Sequence, residues 1–428
     1  MALKYYFEFT DVQNILHRCE IYNDTFVGDS REVQGTLSLT KASTKDTLEA
    51  IRGGGLQIDL EATNLGDVTT LVEPEATNTA TDSNDFTTGD IFEGSANPSL
   101  TSVILTSQQA TSPDGTNNAW KLVDNNDGNT GQCAINYFNT NVITNNYNTV
   151  SLFVKKQGNN DWFYISLSGW GAEANGNDWF DIANGTLGNL SSNHTASIDD
   201  YGNGWYRIVI TFQATTDIQG SIQFRLATSN GGHNILRDGT NGAYIYGLQA
   251  ESHATRQYAT SYIPTSEGTG TRAEDSAIDS GSSDLISSTE GVLYLEFSTF
   301  ALINNNESIS LSNGSTGDVI RFLLNNTVDN KIAFQVKTGG STVFFRGVIL
   351  SDITAFNKIA IKYKQDDYAI WINGVEEHTI TSGAVPTLNK LNFTSGSNVG
   401  SEFIGKVKCV AVFQEALTDA ELTCLTTI

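Results

Sequence analysis

Apolar residues recur at every second position in one short run after another, and clusters of Gly, Asn, Asp, Ser and Thr separate the runs. Tyr5, Phe7 and Phe9 alternate with Lys4, Tyr6 and Glu8, and Ile359, Ile361 and Tyr363 alternate with Ala360, Lys362 and Lys364. A period of two places alternate side chains on opposite faces, so each run reads as an antiparallel strand with one buried face. Tyr368, Ile370 and Ile372 lead into Asn373-Gly374. Both central positions of a two-residue turn need positive φ, so this pair predicts a hairpin. Helix signals are almost absent. The exception is Thr418-Asp419-Ala420-Glu421, where Thr418 can cap the first turn and Glu421 can reach back to the cap amide, which predicts a short terminal helix. No fixed-period repeat is visible, which disfavours solenoids and propellers. The pattern predicts an all-β protein.

At about 150 residues per domain, 428 residues suggest two to four units. A polar stretch from Ala76 to Asp90 follows Val72-Glu73-Pro74-Glu75, and a second break, poor in large apolar residues, runs from Thr265 to Asp284. These breaks predict three units: residues 1–72, 73–265 and 266–428. A formal charge of -24 repels phosphate backbones and anionic lipid heads, so nucleic-acid and peripheral-membrane roles are disfavoured. No apolar run approaches the roughly 20 residues of a spanning helix, and the start lacks the apolar stretch of a secretory leader. Cys19, Cys133, Cys409 and Cys424 are too scattered for a metal knuckle or a disulfide framework and are expected to be buried thiols; Cys409 and Cys424 could meet only if a C-terminal helix folds back on a strand. The five histidines do not cluster, so no Cys/His metal site is expected.

Tryptophan is concentrated in the middle unit, at Trp120, Trp162, Trp170, Trp179 and Trp205. Sugars present flat apolar faces ringed by hydroxyls, so their sites pair exposed rings with amide and carboxylate hydrogen-bonders. Two segments, 159–164 and 170–179, have that chemistry and provide the glycan-binding candidates: Trp162, Tyr164, Trp170, Asn177, Asp178 and Trp179. Trp170 and Trp179 flank a Gly/Asn loop, which predicts exposure, whereas Trp205 sits in a regular strand and is expected in the core. The alternative for each ring is that it fills the interior of a large sandwich.

Three stretches of the middle unit, Thr149 to Lys156, Asp200 to Ile208, and Tyr244 to Glu251 running on to Thr265, resemble a carbohydrate-binding-module-like jelly roll found in bacteriophage tail and fibre proteins. That resemblance implies mainly structural positions and supplies no ligand residue. The last unit resembles a laminin-G/concanavalin-like sandwich through Phe356 to Tyr363, Tyr368 to Val375, Phe403 to Val407 and Ala411 to Leu422. This resemblance implies sugar or protein binding, sometimes with calcium, although no acidic pair stands at the family's metal position. The stretch Ile51 to Leu60 resembles attachment segments at the start of large phage virion proteins.

Other motifs fail on chemistry. Gly28-Asp29-Ser30 is similar to the nucleophile block of a serine-esterase family, but no histidine has the Asp three residues earlier that would help activate the serine. Gln57-Ile58-Asp59-Leu60-Glu61 resembles a glycanase Glu-x-Asp-x-Glu strand, with Gln57 where the nucleophile would stand. Asp124-Asn125-Asn126-Asp127-Gly128-Asn129 resembles a calcium loop, but Gly128 takes the fifth position and no bidentate Glu follows, so a polar turn is expected and no cofactor is assigned. The sequons at Asn193 and Asn392 are ordinary in an Asn/Thr-rich chain and receive no glycans in this reading.

The functional expectation is a non-enzymatic bacteriophage virion appendage. Residues 1–72 would hold other virion proteins, and the sandwiches would bind a host-surface glycan or receptor. Each contact would be weak and strengthened by many copies of a homo-oligomer. One alternative is a purely structural decoration or cementing protein. Another is a polysaccharide depolymerase, which needs two carboxylates about 5 to 10 Å apart; the sequence names no such pair.

Overall fold

The computed structural model describes residues 71–86, 102–137, 143–171, 173–214, 220–275, 277–300, 307–324, 330–397 and 401–428. For residues 70, 138–141 and 219, and for the strands Lys4–Thr10, Leu16–Tyr22, Thr25–Gly28, Ser38–Ala42, Gly55–Asp59 and Ile91–Glu93, it describes the backbone. The side chains of Cys19, Ser30, Gln57, Asp59 and Glu61 therefore lie outside the described residues. Among the described residues strands dominate, and one short helix, Asp419–Thr426, stands near the C-terminus. The fold is all-β. It forms two compact units: residues 75–273, and residues 1–74 together with 274–428.

The unit 75–273 is a sandwich of two six-stranded antiparallel sheets. The first runs Thr195–Asp200, Trp205–Gln213, Tyr147–Gly158, Asn241–His253, Ala119–Asp124 and Val103–Ala110. The second runs Thr186–Leu187, Gly176–Asp181, Trp162–Ser168, Gln219–Ala227, Ala134–Asn141 and Ile91–Glu93. Neighbours are mostly non-consecutive in sequence, as in a jelly roll. Alternation drives the layering: Phe163, Ile165 and Leu167 from one sheet meet Leu152, Val154, Ile208 and Ile210 from the other in a closed core. Each such side chain contributes about 1.5–3 kcal/mol of burial.

The family-like stretch from Tyr244 to Thr265 is structural. Buried Glu251 accepts hydrogen bonds from Arg256 Nη2 at 3.1 Å and from the Thr260 amide at 3.0 Å, while Gln249 Oε1 accepts from the Ile263 amide at 2.7 Å. These bonds pin the exit segment beneath its own strand. Ala76–Asn78 then pairs with Gly270–Arg272, so the unit begins and ends on one two-stranded ribbon.

The other unit packs a five-stranded sheet, Ser341–Ile349, Lys331–Thr338, Val319–Leu324, Ser308–Ser312 and Lys390–Asn392, on a seven-stranded one. The larger sheet runs Val375–Ile380, Tyr368–Ile372, Asn357–Lys364, Glu290–Ser298 and Gly405–Phe413. On its far side Gly405–Phe413 pairs with both Gly55–Asp59 and Thr70–Val72. Leu293, Leu295, Phe297, Ile309, Leu311, Phe322 and Phe334 fill the space between the layers. The earlier strands Lys4–Thr10, Leu16–Tyr22, Thr25–Gly28 and Ser38–Ala42 form a separate four-stranded sheet. The sequence breaks anticipate three units in series, whereas here the strands of residues 55–72 complete the C-terminal sandwich.

Local expectations from turn and cap chemistry hold. Asn373 and Gly374 both have positive φ, 49° and 85°, and join Tyr368–Ile372 to Val375–Ile380. Thr418 caps the helix, the Thr418 amide donating to Glu421 Oε2 at 2.8 Å and the Glu421 amide to Thr418 Oγ1 at 3.4 Å. Cys133 and Cys409 are buried, but Cys424 is exposed because the helix turns it outward.

Candidate functional site

Successive side chains of the strand Trp162–Ser168 face opposite sides of the sheet, so Trp162, Tyr164 and Ser166 point away from the core that Phe163, Ile165 and Leu167 enter. Strand register aligns neighbours with them. Tyr164 stands between Trp179 and Arg225, and Ser166 stands between Asn177 and Gln223. Trp162, Tyr164, Asn177 and Trp179 thus share the outer face of one sheet. Arg225 and Gln223 join them from Gln219–Ala227, where Ser221, Gln223 and Arg225 alternate with buried Ile222, Phe224 and Leu226. That alternation is legible in the sequence and marks two candidate positions, Gln223 and Arg225, that the tryptophan signal passes over.

Tyr164 and Trp179 form a stacked pair, centroids 5.1 Å apart and planes within 17°. The loop after Gln219–Ala227 closes over them: Trp179 Nε1 donates to the Gly232 carbonyl at 3.0 Å, and exposed His233 meets both rings edge-on. Trp179 is consequently only 7% exposed and Tyr164 wholly buried. Burial pushes the Tyr164 hydroxyl above its usual pKa. Arg225 lies over the Tyr164 ring at 5.5 Å, donates from Nη1 to the Tyr164 hydroxyl at 3.1 Å and from Nη2 to Gln223 Oε1. Its buried Nε has no acceptor among the described residues. The result is an aromatic floor carrying a guanidinium, an amide and a hydroxyl, edged by partly exposed Trp162 and Asn177. Asp181, the acid at this edge, spends its oxygens on the Ala183 and Asn184 amides and the Asn184 side chain.

Two candidates lie elsewhere. The expected exposure of Trp170 is corrected: the residue is fully buried and stacks on Phe212 with centroids 5.3 Å apart. Gly169 and Gly171 on either side adopt φ of 104° and 95°, which folds the indole back into the core. Trp179, likewise expected to be exposed, is covered as described. Asp178 faces inward, where its Oδ2 lies 2.7 Å from His194 Nδ1 and its Oδ1 accepts the Ser191 amide at 2.8 Å. Both side chains of that pair are inaccessible, so Asp178 holds a loop and is not placed to contact a ligand. Trp205 is in the core as expected, 2% exposed, with Nε1 donating to the Thr111 carbonyl.

The calcium-like loop is a turn held by its own amides. Asp124 is buried, and its carboxylate accepts from the amides of Asn126, Gly239 and Asn241 at 3.1, 2.5 and 3.0 Å. Asp127 pairs with Arg237 at 2.8 Å. These carboxylates already have donors, so the loop does not fit a cation. No helix among the described residues is long and apolar enough to cross a membrane.

Residues 300–423 match the family model of the concanavalin A-like lectin/glucanases superfamily, and the C-terminal sandwich is a laminin-G/concanavalin-like domain. No curated protein matches the chain in sequence. Among solved structures, similar ones include the CBM40 of Ruminococcus gnavus IT-sialidase bound to alpha2,3 sialyllactose, 17% identical over 32% of this chain and 83% of that one, TM-score 0.28. Domain 4 of AbnA, an arabinanase of Geobacillus stearothermophilus in complex with arabinotriose, is 14% identical over 37% and 73%, TM-score 0.28. Domains LG4-5 of the mouse laminin alpha1 chain are 9% identical over 82% and 92%, TM-score 0.22. The family match, rather than these distant likenesses, bears on the C-terminal sandwich.

Proposed function

We propose that the chain is a carbohydrate-binding protein without catalytic activity, and that it serves as an appendage of a bacteriophage virion. The observation that carries glycan binding is the outer face of the second sheet in the unit 75–273. There Arg225, Gln223, Ser166 and Asn177 stand over an aromatic floor, and Trp162 is the partly exposed ring. Hydroxyls of a sugar would bond the amides and guanidinium, and an apolar sugar face would lie on Trp162. The virion role is supported by the jelly-roll resemblance of the three middle stretches. The anchoring expected of residues 1–72 falls to its first part, the sheet of Lys4–Ala42, since Gly55–Asp59 is spent on the C-terminal sandwich.

A glycan array probed with multimerised protein tests this reading. Binding to at least one glycan, reduced tenfold or more by Trp162→Ala and by Arg225→Ala with the fold intact by circular dichroism, is the expected result. An array silent throughout, or binding indifferent to both substitutions, overturns it. The structural-decoration alternative draws support from the burial of Trp170 and Trp179, and it predicts that silence.

A further inference from the structure

The C-terminal unit carries a second polar depression, independent of the face just described. It is about 440 Å³ in volume and lies on the outer face of the five-stranded sheet. Arg321, Gln335, Lys337, Phe345 and Ser395 line it, and among the described residues its lining includes no acid. Register explains the grouping: Arg321 pairs with Gln335, and Gln335 pairs with Phe345, so three neighbouring strands direct these side chains to one face. Phe345 is 47% exposed, although it sits in the strand whose Phe344 enters the core.

Arg321 is the unusual residue. Its Nε and Nη2 both donate to Gln335 Oε1, at 3.0 and 2.7 Å, and its Nη1 donates to the Ser395 carbonyl at 2.7 Å. All of these acceptors are neutral. A guanidinium has five N–H donors, so two have no acceptor among the described residues. Burial pulls Arg321 below its ordinary pKa, as expected for a desolvated cation with no counter-charge among the described residues. Lys337 adds a second cation, and Lys331 lies three alternations away on the same face of its strand, outside the lining. In a chain with a formal charge of -24, a desolvated arginine, a lysine and an exposed ring around one acid-free depression stand apart.

We propose that this depression binds a carboxylate-bearing saccharide, a uronate or sialate unit, with the carboxylate on Arg321 and Lys337 and a sugar face on Phe345. The carboxylate would supply the missing counter-charge through charge-assisted hydrogen bonds. A saccharide fits better than an acidic peptide. The depression is on a sheet face whose backbone groups are already paired in the ladder, so recognition depends on side chains and a ring rather than on strand addition. Long polyanions are opposed by the charge of the whole chain.

Calorimetry on the full chain tests the proposal, with trigalacturonate, its methyl ester and a sialyllactose as probes. At least one carboxylated probe is expected to bind, and trigalacturonate, if it binds, at least tenfold more tightly than its neutral ester. Arg321→Gln is expected to abolish that preference, and because it also frees the Ser395 loop, Lys337→Gln and Phe345→Ser provide surface variants that each weaken binding severalfold. Binding is expected to persist in the Trp162→Ala, Arg225→Ala chain, which separates this site from the other face. Failure of every carboxylated probe to bind, equal binding of trigalacturonate and its ester, indifference to Lys337→Gln and Phe345→Ser, loss of binding in the Trp162→Ala, Arg225→Ala chain, or equal competition by a triglutamate peptide overturns it.

Discussion

Glu307 stands just before the strand Ser308–Ser312, buried to 6% exposure, with the Ile404 amide donating to its carboxylate at 3.2 Å. Burial pushes its carboxyl up to about 8 from an ordinary 4.5, and neighbouring Glu402 adds to the shift. The unfolded chain therefore releases this proton first. The contribution of Glu307 to stability is full below about pH 4.5, falls as pH rises towards 8, and is flat beyond. The loss across that window is on the order of 5 kcal/mol. Glu307→Gln keeps an acceptor for the Ile404 amide and removes the ionisation. Urea unfolding should find the variant little different from the parent at pH 4.5 and more stable by several kcal/mol at pH 8. A constant difference at both values would dismiss burial as the controlling influence. Single residues of this kind are invisible to sequence reading: Glu307 sits in a polar run, and its burial comes from packing contributed by a segment almost a hundred residues away.

At the scale of elements, what was legible is what local chemistry decides. Asn373-Gly374 required positive φ at both positions, and Thr418 with Glu421 satisfied two helix-end donors, so hairpin and cap could be read directly. The outer face of the second sheet was half legible. Alternation along Trp162–Ser168 fixed which residues share a face, but the neighbours of Tyr164 depend on register with strands 15 and 61 residues on in the chain. The error at Trp170 has the same origin. A Gly-flanked tryptophan suggests an exposed loop until the glycines prove to adopt positive φ and the indole meets Gly220. A Cβ at Gly220 would come 2.2 Å from Trp170 Cε2, closer than any real contact. Gly220→Ala should cost about 1–3 kcal/mol as an overpacked core. Trp170→Leu should cost on its own too, yet the double variant should be less damaged than the sum, because each change makes room for the other. Additive losses in denaturant titrations would mean that the two residues do not share the space.

For the whole molecule, the division into units follows from where the chain leaves one sandwich and returns to it. The Glu73 amide donates to Asp275 Oδ2 and the Asp275 amide to the Glu73 carbonyl, each at 2.9 Å, so the two ends of the C-terminal unit's scaffold meet. Ala76–Asn78 pairs with Gly270–Arg272 directly beyond. Residues 75–273 are therefore an insertion into one sandwich, and such units with adjacent ends fold alone. Expressed by itself, 75–273 should be monomeric and unfold in one cooperative step. Residues 274–428 alone should behave differently. They lack Gly55–Asp59 and Thr70–Val72, which leaves an open edge on Gly405–Phe413, a strand whose residues are buried apart from Lys406. An open apolar edge is a template for pairing with another copy. Size-exclusion chromatography should show self-association of 274–428, relieved when residues 43–74 are joined to it through a short Gly/Ser linker. A monomeric 274–428 whose melting temperature equals that of the joined form would mean that residues 55–72 contribute nothing to the sandwich, and would return them to the anchoring segment the sequence first suggested.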